Sequence, residues 1–198
     1  MNTNFIFATN NPNKLKEVRH IANNKFNIVG IDEFGITEEL PETQNTLEGN
    51  ALQKARYLYE KISKNCFADD TGLEVEALNG RPGIFSARYA GEEKSSIDNI
   101  KKLLNELKDC SNRSAQFRTV VALILNGKEY LFEGIIKGKI IGELKGENGF
   151  GYDPVFVPLG FEKTFAELPL NIKNTISHRA QAFEKLFNFL KHYEVDLK

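Results

Sequence analysis

The chain has 198 residues, 41% apolar and 27% charged, and its 26 Lys and Arg against 27 Asp and Glu leave a net charge of −1. This is the profile of one globular domain, long enough to bury a real core without disulfide staples. The charge balance argues against a dedicated duplex-DNA binder or a polybasic membrane tether, both of which need surplus cations, so any anion must be met by locally placed groups. The longest purely apolar run, residues 120–125, is far short of the ~20 that span a bilayer. The first residues carry no cationic stretch of a signal peptide. Cys66 and Cys110 lie outside any C-x-x-C or metal-ligand spacing and are expected to be reduced filler residues. The expectation is a cytoplasmic protein.

In chain order, residues 4–9 form a short apolar run that stops at Asn-Asn-Pro and predicts a strand buried on both faces. From Lys14 the residues Leu15, Val18, Ile21 and Ala22 make a helical stripe ending near Asn23-Asn24, and residues 26–31 predict a second strand. Residues 32–45 are acidic and carry Pro41, which suggests a loop that holds something. Thr46 is placed to cap a long helix through Leu47, Ala51, Ala55 and Leu58 to Ile62. Residues 66–70 predict a third strand ending in two acids, Thr71-Gly72 a turn, and residues 73–76 a half-exposed strand. Gly80-Arg81-Pro82-Gly83 has turn composition, and Ile97, Ile100, Leu103, Leu104 and Leu107 mark a helix. Three extended stretches follow, residues 115–125, 129–137 and 139–144, divided by Asn126-Gly127, a strong hairpin signal, and by Gly138. A glycine- and aromatic-rich segment, a strand through Phe156, a loop and a last helix from about Ser177 to His192 complete the chain. His20 and His192 fall in helical patterns and are expected on the surface. Strand, helix and strand in alternation predict one continuous α/β domain with an antiparallel meander in its second half.

Four segments do not look like packing material. Thr9-Asn10-Asn11-Pro12-Asn13-Lys14 lies between a buried strand and a helix, where free backbone N–H groups, the helix dipole and Lys14 would cradle a phosphate; it is not a P-loop. Ala68-Asp69-Asp70-Thr71-Gly72 ends a buried strand, where ligands sit in open α/β sheets. Adjacent strand acids point to opposite faces, so one of the two should enter a given site. A hard cation such as Mg²⁺ takes one or two carboxylates plus substrate phosphates, and Glu42 could supply the second. In Gly149-Phe150-Gly151-Tyr152-Asp153-Pro154, an aromatic ring flanked by glycines resembles a stacking platform, worth about 1–3 kcal/mol per base. Lys173-Asn174-Thr175-Ile176-Ser177-His178-Arg179 opens the last helix, with Ser177 as N-cap and two cations placed against the dipole, which hints at a ligand. Each segment alone also has a plain structural explanation: a capped turn, a solvated turn, a core aromatic, an ordinary helix start.

Taken together and in order, T-x-N-x-x-K, A-D-D-[ST]-G-L, P-G-[IV]-x-S-A-R-[YF], G-F-G-Y-D-P and S-H-R resemble the inosine triphosphate pyrophosphatase family, also called Ham1, from Phe5 to about Leu190. The resemblance implies a single pyrophosphatase domain over residues 1–198, with an elongated mixed sheet flanked by helices and two lobes around a central nucleotide cleft. It implies a Mg²⁺-dependent homodimer that takes a purine nucleoside triphosphate and binds neither nucleic acid nor membrane. Thr9, Asn10, Asn11, Pro12, Asn13 and Lys14 match the triphosphate loop. Glu42 and Asp70 match the metal-handling acids, Asp70 also the proton acceptor, and Thr71 a substrate-contacting hydroxyl. Phe150, Gly151, Tyr152 and Asp153 match the base-binding segment, and Lys173, His178 and Arg179 the residues that close over the nucleotide and read the purine. Asn10 and Asn13 stand where the family often has Gly, and Asn is the best non-Gly residue at positive φ.

The implied reaction is NTP + H₂O → NMP + PPi on inosine and xanthosine triphosphates and their deoxy forms. Lys14 and the loop N–H groups would hold phosphates, and Asp70 would deprotonate a water aimed at the α-phosphorus. Arg179, which has only donors, would suit a 6-keto acceptor. Two other readings remain open: a related house-cleaning pyrophosphatase with another modified nucleotide as substrate, and a nucleotide-binding module without turnover.

Overall fold

The computed structural model describes residues 4–196. Its elements are β1 (Asn4–Ala8), α1 (Pro12–Ala22), β2 (Asn27–Gly30), α2 (Leu47–Ile62), β3 (Cys66–Val75), β4 (Pro82–Gly83), α3 (Ser96–Glu106), β5 (Ser114–Leu125), β6 (Lys128–Ile140), β7 (Phe156–Pro158), α4 (Leu170–Ile176) and α5 (His178–Asp196). The strands form one mixed sheet in the order β2-β1-β3-β5-β6-β7, with β4 on β3. Among the described residues no helix is long and apolar enough to cross a membrane.

The chain divides into two compact units, and β3, β5 and β6 run through both. The first comprises the described residues within Met1–Asp70, Thr119–Gly134 and Arg179–Lys198; the second comprises Thr71–Arg118 and Ile135–His178.

In the first unit β1 pairs in parallel with β2 and β3, the pattern that right-handed helical crossovers produce. Its core gathers Phe5, Phe7, Val18, Ile28, Phe67, Val121, Leu123, Phe183 and Leu186. The Phe7 ring stacks on Phe67 at 4.9 Å and meets Phe183 edge-on at 5.7 Å, both favoured aromatic geometries. Asn11 caps α1 and Asn23 ends it in the left-handed conformation, while the Thr46 side chain accepts from Gly49 N at the start of α2. The β5–β6 hairpin turns on Asn126 and Gly127, both at positive φ as a two-residue turn of this kind requires. Burial pushes the Cys66 thiol up to about 12, so it is an inert packing group.

The second unit has its own core, built from Leu73, Val75, Ile100, Leu103, Leu107, Phe117, Phe156 and Phe165. Two predicted breaks are absent from it. Thr71-Gly72 is not a turn: β3 runs unbroken from Cys66 to Val75. A Cβ on Gly72 would lie 2.7 Å from the Gly83 carbonyl oxygen, so this glycine admits the backbone of β4 rather than reversing the chain. Likewise β6 continues through Gly138, where a Cβ would meet Val157 O at 2.3 Å and the Phe156 ring at 2.7 Å. Both glycines serve close approach within a sheet. The segment before the last helix, expected to be a loop, contains the seven-residue α4. Ser177 therefore ends α4 and precedes α5, which begins at His178.

Candidate active site

The first unit collects an unusual density of buried charge at the carboxyl end of β3. Asp69 and Asp70, as neighbours on a strand, reach different partners. The Asp69 carboxylate, fully buried, accepts from Lys14 Nζ at 2.8 Å and from Arg179 Nε at 3.2 Å, and Arg179 Nη1 donates to Glu17 Oε2 at 2.6 Å. Asp70 accepts from Asn50 Nδ2 at 3.0 Å and from Lys54 Nζ at 3.5 Å, and Lys54 also donates to Glu42. Four carboxylates thus face three cations across two linked networks.

Local sequence explains how these groups arrive. On α1, Lys14 and Glu17 are three residues apart and share a face. On α2, Asn50 and Lys54 are one turn apart and occupy the inward stripe with Leu47, Ala51, Ala55 and Leu58. The loop that carries Glu42 is clipped down by Thr43 N donating to Gln53 Oε1 at 2.9 Å and Gln44 N to Asn50 Oδ1 at 2.9 Å. Asn10 fastens the preceding stretch, donating to Glu38 O at 3.1 Å and accepting from Leu40 N at 3.3 Å.

Burial and charge act in opposition on every one of these groups. Burial would raise the Asp69 carboxyl, yet Lys14, Arg179 and Lys54 hold it well below the ordinary carboxylate range. For Asp70 burial wins over Lys54 and Lys14, and its proton affinity is raised. Burial also wins at Lys14, whose ammonium is pulled below its usual range despite Asp69. Lys54 goes the other way: burial opposes its charge, but Asp70, Glu42 and Asp69 together raise it. Glu42 is lowered, with Lys54 outweighing burial.

The loop at residues 9–14 differs from the expected cradle of free N–H groups. Asn11 N donates to Thr9 Oγ1 at 3.1 Å, and the Asn11 side chain accepts from Asn13 N at 2.9 Å and Lys14 N at 3.3 Å. Pro12, at the first helical turn, has no N–H to offer. Neither Asn10 nor Asn13 takes positive φ; the one ties down a loop and the other is an exposed first-turn residue. Lys14 is therefore the loop's principal anion-binding group. Thr71 follows Asp70 on β3 and is half-buried.

The second unit holds the glycine- and aromatic-rich segment. Gly149 has φ +77°, and a Cβ there would fall 2.1 Å from Asp153 Oδ2, so only glycine lets the segment fold over its own carboxylate. That oxygen accepts from Phe150 N at 2.9 Å and from the buried Lys173 Nζ at 2.5 Å. The Lys173 ammonium lies 5.1 Å from the Phe150 ring centre and 5.5 Å from that of Phe165, within cation–π range. Tyr152 is buried and donates its hydroxyl to Ser86 O at 2.9 Å, while Gly151 takes φ +60°. The His178 ring stacks on Phe117 at 4.6 Å. Asp153, Phe150 and Lys173 thus meet as expected. Arg179 does not join them: its guanidinium is 1% exposed in the first unit, on Asp69 and Glu17, because two carboxylates outbid any exposed position for a buried cation.

Sequence reasoning missed Glu17, Asn50 and Lys54. The signal for the last two was available: they are polar residues at inward positions of the α2 stripe, where a helix that only packs would carry apolar ones. Glu17 had no comparable mark. Among the described residues no group of three or more His, Cys, Asp or Glu is arranged to hold a metal by itself.

The profile of the Ham1 family matches residues 5–189. The dITP/XTP pyrophosphatase of Flavobacterium johnsoniae is 53% identical over 185 residues, covering 93% of this chain and 96% of the relative. That of Porphyromonas gingivalis is 54% identical over 186 residues, again covering 93% and 96%. The solved structure of the Staphylococcus aureus Ham1 protein superposes with a TM-score of 0.86 at 41% identity, covering 96% of this chain and all of that one.

Proposed function

As the chain belongs to the Ham1 family, we propose that it hydrolyses dITP, ITP and XTP to the nucleoside monophosphate and pyrophosphate, removing these nucleotides from the pool. The observation that carries this reading is the separation of labour between the two acids that end β3. Asp69 is locked as a counter-ion between Lys14 and Arg179, and Asp70 has the raised proton affinity a base needs. A module that only bound nucleotides would have no use for the second arrangement.

Lys14 binds the phosphate end. Its ammonium, weakened by burial, gains from each added phosphate oxygen. Asp70 accepts the proton of the attacking water, and Asn50 and Lys54 hold its two oxygens so that the carboxylate keeps one orientation. The proton moves from water to Asp70 as the water oxygen bonds to the α-phosphorus, and the pyrophosphate leaves with the electron pair of the broken P–O bond. Glu42 and Asp70 would hold a Mg²⁺. The donor set fits a hard cation, since two carboxylates converge on a single cationic group, Lys54. Such an ion supplies charge neutralisation on the phosphates. In the second unit, Phe150 offers an aromatic face and Asp153 with Lys173 a polar edge suited to a purine.

The family resemblance extends the reading to a cytoplasmic homodimer. Light scattering should give about twice the chain mass of 22.4 kDa, and the single-chain mass would contradict it. The direct test of the reaction is incubation with dITP, XTP, ATP and GTP, with and without Mg²⁺, resolving mono- from diphosphates. Monophosphate formed from dITP and XTP, dependent on Mg²⁺ and strongly disfavoured for ATP, is the expected result. Diphosphate with inorganic phosphate would overturn the site of cleavage, and turnover of none would overturn the function.

A further inference from the structure

The short helix α4 contains a side chain that the account so far leaves without a role. Asn174 is more than nine-tenths buried, and both its Nδ2 and its Oδ1 lack a hydrogen-bond partner. A carboxamide offers donors on one side and an acceptor on the other. Enclosing both unmet carries a free-energy cost with no compensating bond, and such groups in native interiors call for an explanation. The neighbouring residue is Lys173, whose ammonium rests on Asp153 and covers a face of the Phe150 ring. The orphaned amide is therefore adjacent in sequence to the group that shields the stacking platform.

Resting on the function proposed above, we propose that Asn174 is a specificity-determining residue that reads the N1–H/C6=O edge of a 6-oxopurine. Hypoxanthine and xanthine present one donor and one acceptor side by side on that edge, the complement of a primary amide: Nδ2–H donates to O6, and Oδ1 accepts from N1–H. Bringing the base in satisfies both orphaned atoms at once, so the cost held in the free protein becomes discrimination against a base that lacks the edge. The amide is closed off in the free protein. A base stacking on the covered face of Phe150 displaces the Lys173 ammonium, and the accompanying shift of α4, whose first residue Leu170 follows Pro169 with no side-chain cap, bares Asn174 next to it.

The test pairs a deletion in the protein with a deletion in the substrate. Purine riboside triphosphate lacks both N1–H and O6 but keeps the ring, sugar and phosphates. Asn174→Leu should lose roughly 10- to 100-fold in kcat/KM on ITP, yet change less than about 3-fold on purine riboside triphosphate, so the ratio between the substrates collapses. Its melting temperature should equal or exceed that of the wild type, because an unmet polar group has been replaced by an apolar one of similar size. Equal losses on both substrates, or none, would overturn the assignment. Should Asn174→Leu fail to fold, Asn174→Ser is small and polar and must show the same selective loss. Calorimetric binding of the two triphosphates without Mg²⁺ reads the same ratio with no reaction required. A wild type that binds ITP selectively but does not cleave it would contradict the hydrolytic reading and leave this one standing.

Discussion

Replacing Asp69 by Asn removes one charge from the most enclosed part of the first unit while keeping the shape of the side chain. Lys14 then loses the carboxylate at 2.8 Å and Arg179 the one at 3.2 Å, and Arg179 keeps Glu17. Breaking a buried ion pair by removing one partner costs about 3–5 kcal/mol, because the other charge stays buried and uncompensated. For a chain of this length each kcal/mol shifts the melting temperature by about 2–4 °C, so Asp69→Asn should melt at least ~6 °C below the wild type. The pH dependence has a definite sign. Burial favours the protonated acid, but Lys14, Arg179 and Lys54 outweigh it and hold the folded-state carboxyl below its ordinary 3.8. A carboxylate depressed in this way stabilises the fold fully above the ordinary value and loses that contribution only as pH falls through the lower folded-state value. The gap between wild type and variant, followed by circular dichroism melts, should therefore stay constant from about pH 7 to about pH 5 and close only below 3.8. A variant within about 1 kcal/mol of the wild type at neutral pH, or a gap that closes already above pH 5, would refute the reasoning.

Asp70→Asn should abolish turnover while nucleotide binding, measured by calorimetry, changes little; normal turnover would remove Asp70 from the role of base. Since burial raises the Asp70 carboxyl against the pull of Lys54 and Lys14, the acidic limb of the kcat/KM profile should lie above the ordinary 3.8. Lys54→Met removes the cation that both Asp70 and Glu42 share, so that limb should move to still higher pH, and an unmoved limb would separate Lys54 from Asp70. Gly72→Ala should cost about 1–3 kcal/mol in a urea titration, the usual price of overpacking, because the new methyl meets β4 backbone that cannot step aside.

Much of the fold is legible in the chain because its helices and buried strands carry clean periodicities. The stripe of α1, the Thr46 cap of α2 and the Asn126-Gly127 hairpin all lie where local chemistry puts them. Gly72 and Gly138 mislead for a physical reason: a glycine that permits a turn and a glycine that permits close backbone approach look the same in sequence, and only the partner strand distinguishes them. The helix α4 escapes notice because seven residues give too few turns for a stripe and Pro169 supplies no side-chain cap.

The candidate site is legible in part by the same logic. Asp69 and Asp70 could be divided in advance, since a strand sends neighbours to opposite faces, and the structure gives them separate partners. The partners themselves come from far along the chain: Arg179 reaches Asp69 across 110 positions and Glu17 across 162. No local pattern encodes such a meeting, which is why Arg179 was expected at the purine. The loop at residues 9–14 shows a related limit. Its Asn residues suggested unusual backbone, but they act through their side chains as caps and ties.

The claim that water attacks the α-phosphorus is tested most directly by running the reaction on dITP in ¹⁸O-labelled water and weighing both products. The account predicts that the label enters the nucleoside monophosphate and that the pyrophosphate is unlabelled. Label in the pyrophosphate would place the attack on the β-phosphorus and contradict the assignment of Asp70 as the base that directs the water.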